Sequence, residues 1–85
     1  MKKTILQEAQ ELTDGPRNAD YGDVIKSFVT TSQIANQLGC DISAVGVCKV
    51  HIATKLSRES NKHKRDNLVD ICGYVRLLSI LEGDE

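Results

Sequence analysis

Aromatic side chains are almost missing from this sequence: Phe28, Tyr21 and Tyr74 are the whole set, and there is no tryptophan. Any core must therefore be assembled from Leu, Ile, Val and Ala, without the large buried area that rings supply. Cysteine is scarce and unpaired by spacing. Cys40, Cys48 and Cys72 form an odd count with no Cys-x-x-Cys pair and no histidine at ligand spacing, which argues against a disulfide framework and a structural zinc site and fits a reducing compartment. Long apolar runs are lacking as well. Gln7, Glu8, Gln10 and Glu11 stand where a signal peptide would need an apolar stretch, so neither secretion nor a membrane span is expected. Neither sign of charge dominates, the net charge being −1, so nothing steers the whole chain toward a DNA or RNA polymer.

What is present is a helical pattern. Ile5, Ala9 and Leu12 recur at helical spacing over residues 4–13, and Asp14-Gly15-Pro16 supplies consecutive breakers. Residues 14–23 have no hydrophobic period and read as an ordered or ligand-facing loop. Asp23 is placed to cap a second helix with Val24, Phe28, Thr31, Ala35 and Leu38 on one stripe and Gly39 just past its end. A third helix, capped by Asp41 or Ser43 and running to about residue 59, carries Ile42, Val45, Cys48, Ile52 and Leu56 on its main apolar face, with Val47 and Val50 outside it. The fourth runs from near Asp66 to about Leu81 and is apolar nearly all round: Leu68, Ile71, Cys72, Val75 and Leu78 on one side, Val69, Leu77, Ile80 and Leu81 on much of the other. The expected fold is thus an all-α, compact four-helix protomer, one domain spanning 1–85. So short a chain buries a thin core, and its last two helices are expected to form an oligomer interface, as a dimer or tetramer.

Charge is segregated along the chain. Glu8, Glu11, Asp14, Asp20 and Asp23 face Arg17 alone in residues 8–23, whereas Lys49, Lys55, Arg58, Lys62, Lys64 and Arg65 oppose only Glu59 in residues 49–65. Lys55 and Arg58 lie one turn apart and suit either an internal carboxylate such as Asp70 or a bound phosphate. Lys49, within the apolar arc, reads as a lysine whose stem covers apolar surface while its ammonium reaches water. Asp66 and Asp70 share a face of the fourth helix with Gly73. They read either as a helix cap and an ion-pair partner or as an incomplete Mg²⁺ site. In the loop, Arg17, Asn18 and Tyr21 combine a bidentate donor, an amide and an aromatic face, the parts needed to hold a phosphate and stack on a base. His51 and His63 read as ordinary surface or interface residues. No Ser-His-Asp or Cys-His arrangement and no phosphate-binding glycine loop is present, so no catalytic residue is assigned.

These residues fall into three ordered motifs, Arg17-x-x-x-Tyr21-Gly22-Asp23, Lys55-x-x-Arg58 and Asp66-x-x-x-Asp70-x-x-Gly73-Tyr74. In them the chain resembles a family of small phage and prophage proteins classed as a domain of unknown function. The resemblance implies a helical fold similar in outline to the all-α, MazG-type NTP pyrophosphatases, although the third helix lacks the Glu-x-x-Glu pair those enzymes use. It also implies a host bacterial cytoplasm. The expectation that follows is a non-catalytic protein that sequesters a nucleotide, such as a cyclic oligonucleotide of anti-phage immunity, in a subunit-interface pocket. Arg17, Asn18, Tyr21, Lys55, Arg58, Asp66, Asn67, Asp70 and Tyr74 would form that pocket, with no cofactor. The alternatives are a Mg²⁺-dependent pyrophosphohydrolase, with Asp66 and Asp70 as metal ligands, and an interaction module that inhibits a host factor.

Overall fold

Thr4 opens the first helix by a reciprocal pair of bonds: its hydroxyl accepts from the Gln7 N–H (3.1 Å) and the Gln7 side chain accepts from the Thr4 N–H (2.8 Å). Two otherwise orphaned donors are satisfied at once. The computed structural model describes residues 2–14 and 18–85, and for residues 18–23 the backbone alone. Within these the chain forms four α-helices: α1 (Ile5–Asp14), α2 (Asn18–Gln37), α3 (Ala44–Asn61) and α4 (Arg65–Leu81).

Ser43, one of the two residues expected to cap α3, does so, its Oγ accepting from the Gly46 N–H at 3.0 Å. Gly39 ends α2 with φ +101°, its N–H bonded to the Asn36 carbonyl and that of Cys40 to the Ala35 carbonyl. That is the paired bonding of a Schellman motif, in which a residue without Cβ takes the left-handed position. The short link to α3 is pinned by Asn36, whose side chain both donates to the Ile42 carbonyl (3.0 Å) and accepts from its N–H (2.9 Å).

The start of α2 departs from the sequence expectation. Asp14 and residues 18–23 are helical, so Asp23 lies inside α2 and does not cap it; residues 15–17 of the expected loop lie outside the described residues. Asn and Asp are turn formers in the middle of a chain, yet the same residues are favoured in the first turn of a helix.

The helices pack in the order α2, α3, α4, α1, with α3 against α4 the most extensive contact and α1 against α2 a light one. Phe28, Val47, Cys48 and Leu77 form the buried core cluster, with Ala9 from α1 and Val69 from α4 also buried. Phe28, Val47, Val69 and Leu77 each contribute about 1.5–3 kcal/mol when removed from water. Three stripe assignments are corrected here. Val47 is core while Leu56 is half exposed, and on α4 the most buried row is Val69, Gly73 and Leu77 while Val75 is half exposed. On α2, Ser32 rather than Thr31 joins Phe28 in the interior, and Leu38 is exposed. The three cysteines are free, Cys48 being buried, and burial pushes its thiol above the usual range. None of the described helices is long and apolar enough to cross a membrane.

Candidate anion-binding site

The site lies where α3 hands over to α4. Glu59, in the last turn of α3, organises the turn: its carboxylate takes the His63 imidazole Nδ1, the Lys64 N–H (2.9 Å) and the Asn67 side-chain amide (3.2 Å). The His63 bond, with the Lys64 and Asn67 bonds behind it, holds the Glu59 carboxyl below the ordinary range. Lys62 and Lys64 flank the two helix ends in extended backbone, and Lys64 is the N-cap residue of α4. A lysine side chain has no acceptor to offer, so the first-turn N–H groups of α4 lack the usual side-chain cap.

Beside this turn is a groove of about 340 Å³ lined by Arg58, Asn61, Lys62, Lys64 and Asn67. Its lining has three cations, two amides and no carboxylate. Two grooves beside α1 differ in this respect, each containing a carboxylate, Glu11 in one and Glu8 in the other. An anion entering the α3–α4 groove would meet charge-assisted donors and the positive end of α4 together.

Two other cations of the basic segment are committed internally. Lys55 pairs with Asp70 at 2.8 Å across α3 and α4, the internal alternative for that lysine. Arg65 is bonded to Glu8 and donates to the Lys3 carbonyl at 2.8 Å, which docks α1 on the start of α4. Lys49 is exposed on α3. For Arg58, Lys62 and Lys64 no ion pair occurs among the described residues.

Of the residues singled out from sequence, the structure brings Arg58 and Asn67 together in the groove. Lys55 and Asp70 form a separate pair on the same hairpin, and Asp66 is exposed in the first turn of α4. Among the described residues no group of three or more His, Cys, Asp or Glu side chains converges as metal ligands would. Tyr74 sits two turns beyond Asn67, its ring stacked on His51 (centroids 5.3 Å apart, 17° between planes) with Phe28 tilted against both. His51 thus joins an aromatic cluster over the core, a role not foreseen from sequence. Arg17 lies outside the described residues, as do the side chains of Asn18 and Tyr21. Sequence reasoning also missed Asn61 and Glu59 as parts of this turn. The available signal was the Glu59–His63 spacing of four residues ahead of a new helix.

The chain is similar to two phage proteins. It is 33% identical over 77 residues to the Gene 55 protein of Mycobacterium phage D29, covering 88% of this chain and 51% of that protein. It is 31% identical over 85 residues to the Gene 55 protein of Mycobacterium phage L5, covering 96% of this chain and 54% of that one. The chain therefore spans about half the length of these curated relatives. No solved structure matches it. A family model described as Domain of unknown function (DUF6378) matches residues 4–82, and with helix, turn and motif order laid out above, the chain belongs to that phage-type family.

Proposed function

We propose that this protein binds a phosphorylated nucleotide in the α3–α4 groove and holds it without turning it over. In this reading it is a sponge for a nucleotide signal, such as a cyclic oligonucleotide of anti-phage immunity. It would act as a homo-oligomer in the host bacterial cytoplasm. The observation that supports this reading is the groove itself, in which Arg58, Lys62 and Lys64 surround a cavity whose lining has no carboxylate. Arg58 offers a planar fork for phosphate, the two lysines offer point charges, and Asn61 and Asn67 offer amides that pair with base or sugar edges. Asn67 is already oriented by Glu59, so ordering it on binding costs little. Arg17, Asn18 and Tyr21 belong to the same proposal as a second wall, supplied from the same copy or from a neighbour.

The hydrolytic alternative, a Mg²⁺-dependent reaction of the MazG type, has Asp66 and Asp70 one turn apart on α4 as its support. Asp70 would first have to leave Lys55. Calorimetric titration of the protein with mono-, di- and cyclic nucleotides, followed by chromatography of the recovered nucleotide after incubation with Mg²⁺, separates the readings. Binding with the nucleotide recovered intact is the expected result. Conversion to a monophosphate and pyrophosphate would replace sequestration by hydrolysis. Absence of heat with every nucleotide would overturn nucleotide binding and leave the protein-interaction reading.

A further inference from the structure

We infer that the outer face of the α3–α4 hairpin is the docking surface for a second copy of this chain. The inference stands independently of the nucleotide reading, since it is carried by apolar surface and not by the groove.

The two helices are antiparallel, and three contacts fix their register: Cys48 Sγ donates to the Tyr74 carbonyl (3.4 Å), Lys55 pairs with Asp70, and Asn67 donates to Glu59. Those residues mark the arcs by which α3 and α4 face each other. Val47 marks the core-facing arc of α3, and Val69, Gly73 and Leu77 that of α4, while Arg76 and Arg65 mark its side toward α1. At 100° per residue the arcs left over carry Val45, Ile52 and Leu56 on α3 and Leu68, Ile71 and Val75 on α4. Both arcs lie beyond the α3–α4 contact on the side away from the core, and the register sets Leu56 near Leu68 and Ile52 near Ile71. The six form one band across two helices. None of them belongs to the cluster packed around Phe28, Val47, Cys48 and Leu77. Leu56 is 53% exposed and Val75 50%.

Exposed apolar side chains on α2 do not form such a band. Val29 falls on the flank opposite Ile34 and Leu38, so these are scattered single residues of the kind any surface carries.

The area of the whole chain fits a second copy as the occupant. The chain exposes 5952 Å², whereas a monomer of its mass is expected to expose about 5,000 Å². The excess, roughly 900 Å², is close to the area of about 800 Å² that each partner gives up in a standard protein interface. The protomer is correspondingly flat, 47 × 31 × 20 Å, two helix diameters deep. Two copies meeting by this face through a two-fold axis would stack hairpin on hairpin as a four-helix layer, each copy covering the other's band with its own. Lys49 lies on the same arc. Its stem covers apolar surface with the ammonium directed to the rim, and the two-fold axis passes away from it, because like charges would otherwise meet.

The test is sedimentation equilibrium on the full chain, without nucleotide, over a wide concentration range. The expected result is a mass twice that of the chain, with Val75→Asp raising the dimer's Kd about tenfold or more while circular dichroism stays helical. Leu56→Asp, on the other helix of the band, repeats the measurement if Val75→Asp fails to fold. Val29→Asp, off the band, leaves the dimer unchanged. The inference is overturned if the wild-type chain is a folded single copy at the highest concentrations, if both band variants associate as tightly as wild type, or if Val29→Asp alone dissociates it.

Discussion

Arg76 and Arg58 are guanidiniums near the C-terminal ends of α4 and α3, and the fold uses them in opposite ways. Arg76 is saturated: it reaches Asp14 at 2.5 Å and Glu85 at 3.2 Å and donates to the Thr13 hydroxyl at 2.9 Å, tying α1 and the C-terminal residues to α4. Arg58 lines an open groove with two lysines, and no described carboxylate meets it. The difference gives a criterion for a candidate binding site: its basic residues are those from which the fold withholds the counter-charge. In the segment 49–65, where cations dominate the sequence, Lys55 and Arg65 are answered by Asp70 and Glu8, Lys49 stands apart on α3, and Arg58, Lys62 and Lys64 are left together at the groove for an external anion.

The comparison breaks most completely if the scaffold beneath both arginines is loosened. Leu77 is buried to 1% exposure at the centre of the α2–α3–α4 cluster, and Leu77→Ala is expected to cost about 2–5 kcal/mol in chemical denaturation. Gly73→Leu, in the same buried row of α4, is expected to cost about 1–3 kcal/mol by overpacking. Because either change acts on the helix that carries Asn67 as well as Arg76, affinity for nucleotide should fall with stability. A variant that loses stability but keeps full affinity would show that the groove folds independently of the core.

Separating the two arginines sharpens the contrast. Arg58→Ala should lower nucleotide affinity roughly ten- to a hundredfold, the loss of a charged hydrogen bond, with the unfolding transition unmoved. Arg76→Ala should do the reverse, shifting the unfolding midpoint downward and leaving the calorimetric affinity as it was. If both variants lose affinity equally, the counter-charge criterion fails.

The four helices were legible in the sequence, and so were the ends marked by Gly39 and Ser43, because these are punctuation with a local physical cause; the Thr4 cap was not foreseen. Gly83 closes α4 at φ +85° with the same pair of bonds that Gly39 makes after α2. What misled was density. On α3 and α4 the richest apolar arcs, through Val45, Ile52 and Leu56 and through Leu68, Ile71 and Val75, are not the most buried ones. Helical period counts apolar residues around an axis without knowing which neighbours exist, so Val47, placed outside the stripe, belongs to the core. The site was half legible for a similar reason. Arg58 was singled out because of its place at a helix end, but its separation from Lys55 depends on Asp70 lying across the hairpin, a contact between residues fifteen apart that no local rule supplies.

The smallest expected effect is a pH dependence, which Asp14 gives the Arg76 side of the comparison and Glu59 gives the turn beside Arg58. Asp14 is held below the ordinary carboxylate range, chiefly by its hydrogen bond to Arg76 and secondarily by that guanidinium's charge, against some desolvation. A carboxyl whose folded value is depressed stabilises the fold at pH above its unfolded value, roughly 4. That contribution is lost as pH falls through the folded value, because the native state must then take up the proton it had excluded. Glu85, lowered by Ser79 and Arg76, titrates in the same sense. Both groups anchor to Arg76 and Asp14 closes α1, so acid should loosen α1 on α4; Glu59, depressed in the same sense, loosens the α3–α4 turn, while the hairpin core around Cys48 and Leu77 holds longest. Amide hydrogen exchange at Ala9 and Thr13, compared with that at Cys48 and Leu77, measures this order directly. Asp14→Asn should flatten the acid dependence at the α1 amides while leaving the hairpin amides as they are. Equal acid sensitivity of α1 and the hairpin in both proteins would mean that the Arg76 centre bears on the whole fold and not on one docked helix.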